Sequence, residues 1–70
     1  MKRNALLKQL RRYGCVLKRE GAAHSLWMNA ATGATEAVPR HVEISNQLAR
    51  KIFKGLSVPE IGATDSGDDE

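Results

Sequence analysis

The stretch CVLKREGAAHSLWMNAATGATEAV, residues 15–38, decides how this chain folds. Cys15 to Glu20 is rich in Cys, Val and Leu before it turns charged, and reads as a strand. His24 to Asn29, with Leu26, Trp27 and Met28 at its centre, reads as a second. Ala34 to Val38 reads as a third, stopped by Pro39. The first two are joined by Gly21-Ala22-Ala23, where Gly21 is available for a positive φ, and the last two by the turn Ala30-Ala31-Thr32-Gly33. Strands joined this closely form an antiparallel meander. Parity leaves the direction of the middle strand open: His24 shares a side with Leu26 and Met28, and Trp27 shares one with Ser25 and Asn29.

A helical pattern stands on either side. From Asn4 to Tyr13, Leu6, Leu10 and Tyr13 fall at i, i+4 and i+7 and Leu7 widens the stripe. Asn4 is placed to cap the start, and Gly14 stands where a left-handed residue closes a helix. Downstream, Arg40 to Ile44 is a connection and Ser45 is the N-cap of a helix running to Lys54. Leu48, Ile52 and Leu56 form its apolar row beside Ala49 and Phe53, and Gly55 ends it. Ser57-Val58-Pro59-Glu60 has the residues of a further helical turn. A three-stranded sheet needs one face covered, so both helices are expected on the same face of an α+β domain of order α-β-β-β-α. That is the architecture of double-stranded RNA-binding domains. The folded domain is expected over residues 1–61, and the acidic segment 62–70 is expected to be disordered.

The chain has 70 residues, enough for one domain with a thin core and a shallow, open site. Its net charge of +3 hides an asymmetry. All eleven Lys and Arg precede Pro59, where the only acids are Glu20, Glu36 and Glu43, which leaves the body at +8. Such a body attracts phosphate polyanions or an acidic partner. The single cysteine, Cys15, offers neither a disulfide nor a metal-ligand pair and reads as a core thiol. Lys8 and Arg11 interrupt the first apolar run too early for a signal peptide. No run is long enough to span a bilayer, so the cytoplasm is the expected location.

His24 is the first candidate for chemistry, because it opens a strand directly after a small loop. An imidazole exchanges protons near neutral pH. RNA carries its own nucleophile in the 2′-hydroxyl, so a shallow site with one histidine and nearby cations is sufficient for its cleavage. His41, in Pro39-Arg40-His41, is the second candidate, since Arg40, His41 and the backbone near Ser45 are suited to hold a phosphate. Two basic clusters, Lys8, Arg11 and Arg12, then Arg50, Lys51 and Lys54, have helical spacing and suit phosphate contact. Lys18 and Arg19 add charge near the His24 loop. Trp27 is expected in the core. No glycine-rich phosphate loop, carboxylate pair or metal-ligand constellation is present, so no cofactor is expected.

These segments together resemble the HicA toxins, the mRNA-cleaving partners of HicA–HicB toxin–antitoxin modules. The matching residues are Leu6-Leu7-Lys8-Gln9-Leu10 leading to Tyr13-Gly14 and Val16, then Gly21-Ala22-Ala23-His24. Val38-Pro39-Arg40-His41 with Glu43-Ile44 follows, then the helix Leu48 to Leu56 and the closing Gly55-Leu56-Ser57. The resemblance spans Lys2 to Ile61. It implies a fold like a double-stranded RNA-binding domain, metal-independent endoribonuclease activity on mRNA, a single catalytic histidine at His24 and a HicB-like antitoxin partner. The sequence departs from the family pattern at Ala22-Ala23, where more polar residues are common, and in its acidic tail. A non-catalytic module of the same fold, binding RNA or an antitoxin, is the alternative expectation. A DNA-binding role ranks below both, because the two helices are separated by the whole meander.

Overall fold

The structure is a computed structural model that describes residues 1–59. Its elements are α1 (Arg3–Arg12), β1 (Cys15–Glu20), β2 (His24–Asn29), β3 (Thr35–Pro39) and α2 (Asn46–Gly55). The three strands form one antiparallel sheet in the order β1-β2-β3. This is the expected α-β-β-β-α meander. Residues 60–70, which hold the end of the expected domain and the acidic segment expected to be disordered, lie outside the described residues.

The sheet face is settled by β2. Ser25, Trp27 and Asn29 are buried, whereas His24 is exposed and Leu26 and Met28 are only half-buried. Trp27 is the largest side chain available to the central strand, and covering its ring removes the most apolar surface from water. Leu6, Leu7 and Leu10 of α1 and Ala49, Ile52 and Phe53 of α2 join Cys15, Trp27, Val38, Ile44, Leu56 and Val58 in one core. Both helices therefore cover the same face, α1 against β1 and α2 against β3. The Arg11 guanidinium lies over the Trp27 ring, 5.2 Å from its centroid. The indole Nε1 is buried without a hydrogen-bond partner among the described residues, at a cost of roughly 1–3 kcal/mol.

Several local expectations are corrected by contacts distant in sequence. Asn4 is not the N-cap of α1; Lys2 is, and it gives no side-chain cap. The chain before the helix is instead paired with residues 42–44. Ile44 N donates to Met1 O at 2.8 Å, Lys2 bridges Glu43, and Arg3 N donates to Val42 O at 2.8 Å. That pairing satisfies the first orphan donor and moves the cap two residues earlier, from Asn4 to Lys2. Tyr13 does not complete the leucine stripe. It follows the last helical turn with φ −104°, is 46% exposed, and leaves Gly14 at φ +85° to close the helix.

Gly21 does not take a positive φ. Its N–H donates to His24 O at 2.8 Å, and a Cβ at this position would stand 2.9 Å from that oxygen. Close approach, not handedness, makes it glycine. Gly33 takes the left-handed conformation of the second turn, at φ +80°. The third strand begins at Thr35 and includes Pro39, one residue later at each end than expected. Proline is tolerated there because β3 is an edge strand.

Ser45 caps α2 as expected, its Oγ accepting from Leu48 N at 3.2 Å. The other end differs. Gly55 is the last helical residue, and the place a Cβ would take there is filled by the Glu36 side chain, a flexible neighbour that can swing aside. The left-handed residue is Ser57, at φ 58°. Ser57 N donates to Lys54 O at 3.1 Å and Val58 N to Phe53 O at 2.8 Å, while Val58 is buried in the core. This is a Schellman closure with serine in the place glycine prefers. Ser57, Val58 and Pro59 therefore do not open the helical turn expected there, and its fourth residue, Glu60, lies outside the described residues.

Candidate functional site

His24 opens β2 on the sheet face that turns away from the helices, opposite Pro39 of β3. Its backbone is pinned by the Gly21 hydrogen bond, and its imidazole is exposed and makes no hydrogen bond among the described residues. The nearest cation of the same face along the β1–β2 ladder is Arg19. It pairs with Leu26, two residues from His24, which makes it a diagonal neighbour within reach of a long side chain. Lys18 occupies the irregularity between Leu17 and Arg19, where the ladder slips by one residue. Both are exposed and form no ion pair among the described residues.

Arg40 holds the loop that presents His24. Its Nη1 donates to Gly21 O at 3.1 Å and pairs with Glu20 Oε2 at 3.0 Å, and its backbone N–H donates to Ala23 O at 3.2 Å. The carboxylate of Glu20 also accepts from Ser25 Oγ at 3.1 Å. Ser25 Oγ in turn accepts from Arg3 Nη2 at 2.9 Å, and Arg3 Nε donates to Pro39 O at 2.8 Å. Arg3, Ser25, Glu20 and Arg40 thus form a continuous chain that ties α1, the ends of β1 and β2 and the exit of β3 around the Gly21–Ala23 loop. Ser25, 1% exposed, is the buried member, its hydroxyl accepting from Arg3 and donating to Glu20.

Arg3, Glu20 and Ser25 are the members that sequence reading passes over. The one signal was strand parity. A serine facing inward beside Trp27 must find a partner, but nothing local says that the partner is Arg3.

The remaining candidates are dispersed. Lys8, Arg11 and Arg12 on α1 and Arg50, Lys51 and Lys54 on α2 are exposed, but the helices lie on the far side of the sheet from His24. Arg11 is engaged over Trp27, and Lys51 Nζ pairs with Glu36 Oε1 at 3.3 Å. His41 is exposed in the connection before α2. One bound strand cannot meet the His24 face and both helix clusters in a flat contact, so Lys18, Arg19 and the groups around Arg40 are the cations that share a neighbourhood with His24.

Cys15 is buried, and burial pushes its thiol above its ordinary pKa, as suits a core residue. Glu43 is held below the usual carboxylate range by hydrogen bonds from the Met1 amino group and Lys2. Among the described residues no cluster of His, Cys, Asp and Glu could hold a metal, and no helix is long and apolar enough to cross a membrane. No protein-family model, curated protein or solved structure matches this chain.

Proposed function

We propose that this chain is an RNA-binding protein of the HicA type, acting in the cytoplasm as an mRNA-cleaving toxin under the control of a HicB-like antitoxin. The observation that carries the reading is the presentation of His24: an exposed imidazole on a backbone pinned on both sides, with Arg19 its diagonal neighbour on the same sheet face and Lys18 next to Arg19 in the chain. The fold agrees with that of a double-stranded RNA-binding domain in element order and in the face its helices cover.

In this reading His24 accepts the 2′-hydroxyl proton of the bound strand. The 2′-oxygen forms a bond to the adjacent phosphorus and the P–O5′ bond breaks. The products are a 2′,3′-cyclic phosphate and a 5′-oxygen that takes a proton from the imidazolium or from water. Arg19 and Lys18 neutralise the phosphate charge that grows in the transition state. No metal is needed, because the nucleophile belongs to the substrate.

A second reading is favoured by one specific observation. The imidazole has no orienting hydrogen bond among the described residues, and Ala22-Ala23 offers none. A module that binds RNA or an antitoxin without cutting has no need of one. Purified wild type and His24→Ala, incubated with RNA in chelator, separate the two. The toxin reading expects cleavage to fall roughly 10²–10⁴-fold in the variant. Equal cleavage by both proteins removes His24 from the chemistry, and binding without cleavage by the wild type establishes the second reading.

A further inference from the structure

Lys2, Arg3, Asn4, Arg40 and Val42 line an open depression of about 300 Å³ at the start of α1. Three of these five residues are cations. Two are set rigidly by internal acceptors and keep donors to spare. Arg3 uses Nε on Pro39 O and Nη2 on Ser25 Oγ, and Arg40 uses Nη1 on Gly21 O and Glu20. Arg3 Nη1 and Arg40 Nε and Nη2 have no acceptor among the described residues. The backbone N–H of Asn4 is likewise unclaimed. The first turn of α1 itself contains no acid, and Glu43 beside it is taken up by Lys2 and the Met1 amino group, so Arg3 and Arg40 are the cations with spare donors where the helix dipole favours negative charge. Planar guanidinium groups held in a fixed orientation match the oxygens of a phosphate.

We propose that this depression binds a phosphodiester of the RNA strand, at a place separate from the phosphate beside His24. The RNA as ligand rests on the functional reading above; the capacity for a phosphate rests on the cavity and its cations alone. Arg40 links the two places. Its Nη1 fastens the loop that presents His24, while the rest of its guanidinium lines the depression. A strand seated on the His24 face and continuing past the β2–β3 end of the sheet meets this second anchor. The anchor fixes the register of the strand with respect to His24, a service that the helix clusters across the sheet cannot give.

The test uses Asn4→Asp, which places a carboxylate in the depression. Asn4 is exposed, and an acid in a first helical turn favours the helix, so loss of binding cannot be blamed on unfolding. Inorganic phosphate is titrated into labelled wild type and variant, with amide shifts as the readout, and RNA binding is followed against salt. The proposal expects phosphate to shift the amides of Arg3, Asn4, Arg40 and Val42 in the wild type. In the variant, phosphate and RNA affinities fall roughly five-fold. The slope of log K against log salt for single-stranded RNA also falls by about 0.7, one phosphate contact. Absence of those shifts, or a variant that binds phosphate like the wild type, overturns the site. Phosphate binding that responds to the substitution while RNA binding does not overturns the assignment to the strand. Failure of the wild type to bind any RNA defeats the functional reading while the phosphate titration still reports on the site.

Discussion

Replacing Gly21 by alanine perturbs the loop that presents His24 and leaves every side chain around it in place. The added Cβ would stand 2.9 Å from His24 O, the same oxygen that accepts the Gly21 N–H at 2.8 Å. The neighbour is backbone on both counts, so no flexible side chain can swing away. Losing the hydrogen bond costs about 0.5–1.5 kcal/mol, and forcing a methyl into an occupied place costs roughly 1–3 kcal/mol when nothing gives. Partial opening of the loop relieves part of the second cost. Alanine also restricts the unfolded chain and returns about 0.4–1 kcal/mol, since the φ here is one that an L-residue can adopt. The net expectation is a loss of about 1–2 kcal/mol. In a domain of this size each kcal/mol lowers Tm by roughly 4–8 °C. Thermal unfolding by circular dichroism reads the stability, and hydrogen exchange at the Gly21 amide reads the opened contact. A variant as stable as the wild type, or more stable by the entropic gain alone, refutes the close approach and with it the account of how His24 is held.

The other expectations concern single contacts. Ser57→Gly should raise stability by about 0.5–1 kcal/mol in denaturant unfolding, because glycine adopts the left-handed closure of α2 without a Cβ penalty. Ser25→Ala should lower it by about 1–3 kcal/mol, since Arg3 and Glu20 lose the buried oxygen that joins them; it should also loosen the Gly21–Ala23 loop in hydrogen exchange. The folded-state pKa of Glu43 lies below its ordinary value of 4.5, so its ion pairs favour folding above that pH and the contribution vanishes as pH falls through the lower value. Glu43→Gln should therefore flatten the acid limb of a Tm-against-pH curve.

Element order was legible because it depends on local pattern: leucines at helical spacing, short apolar runs, and Gly14 and Gly33 where the chain must turn left-handed. What escaped depends on residues far apart. Asn4 looked like a cap, but the pairing of residues 1–3 with 42–44 satisfies the helix start by another route. Gly55 looked like a helix stop. It is the last helical residue instead, with the Glu36 side chain of β3 packed against it and the left-handed closure two residues on at Ser57. The direction of His24 could not be read from parity, because each side of β2 carries apolar residues. The bulk of Trp27 on the central strand decides it in three dimensions. The same holds for charge. Lys51 reads as one of a phosphate-contact cluster until the fold sets Glu36 beside it, and nothing local to Arg3 points to its partners Pro39 and Ser25, 36 and 22 residues away.

The central claim is that His24 acts on the substrate's own 2′-hydroxyl. It is tested most directly by single-turnover incubation of the protein with an RNA and with its 2′-O-methyl counterpart, both in chelator, with His24→Ala run in parallel. The account expects both strands to be bound, only the 2′-hydroxyl strand to be cut, cyclic phosphate at the new 3′ ends, and no such product from His24→Ala. Cutting of the 2′-O-methyl strand, or the same product at the same rate from His24→Ala, would contradict it.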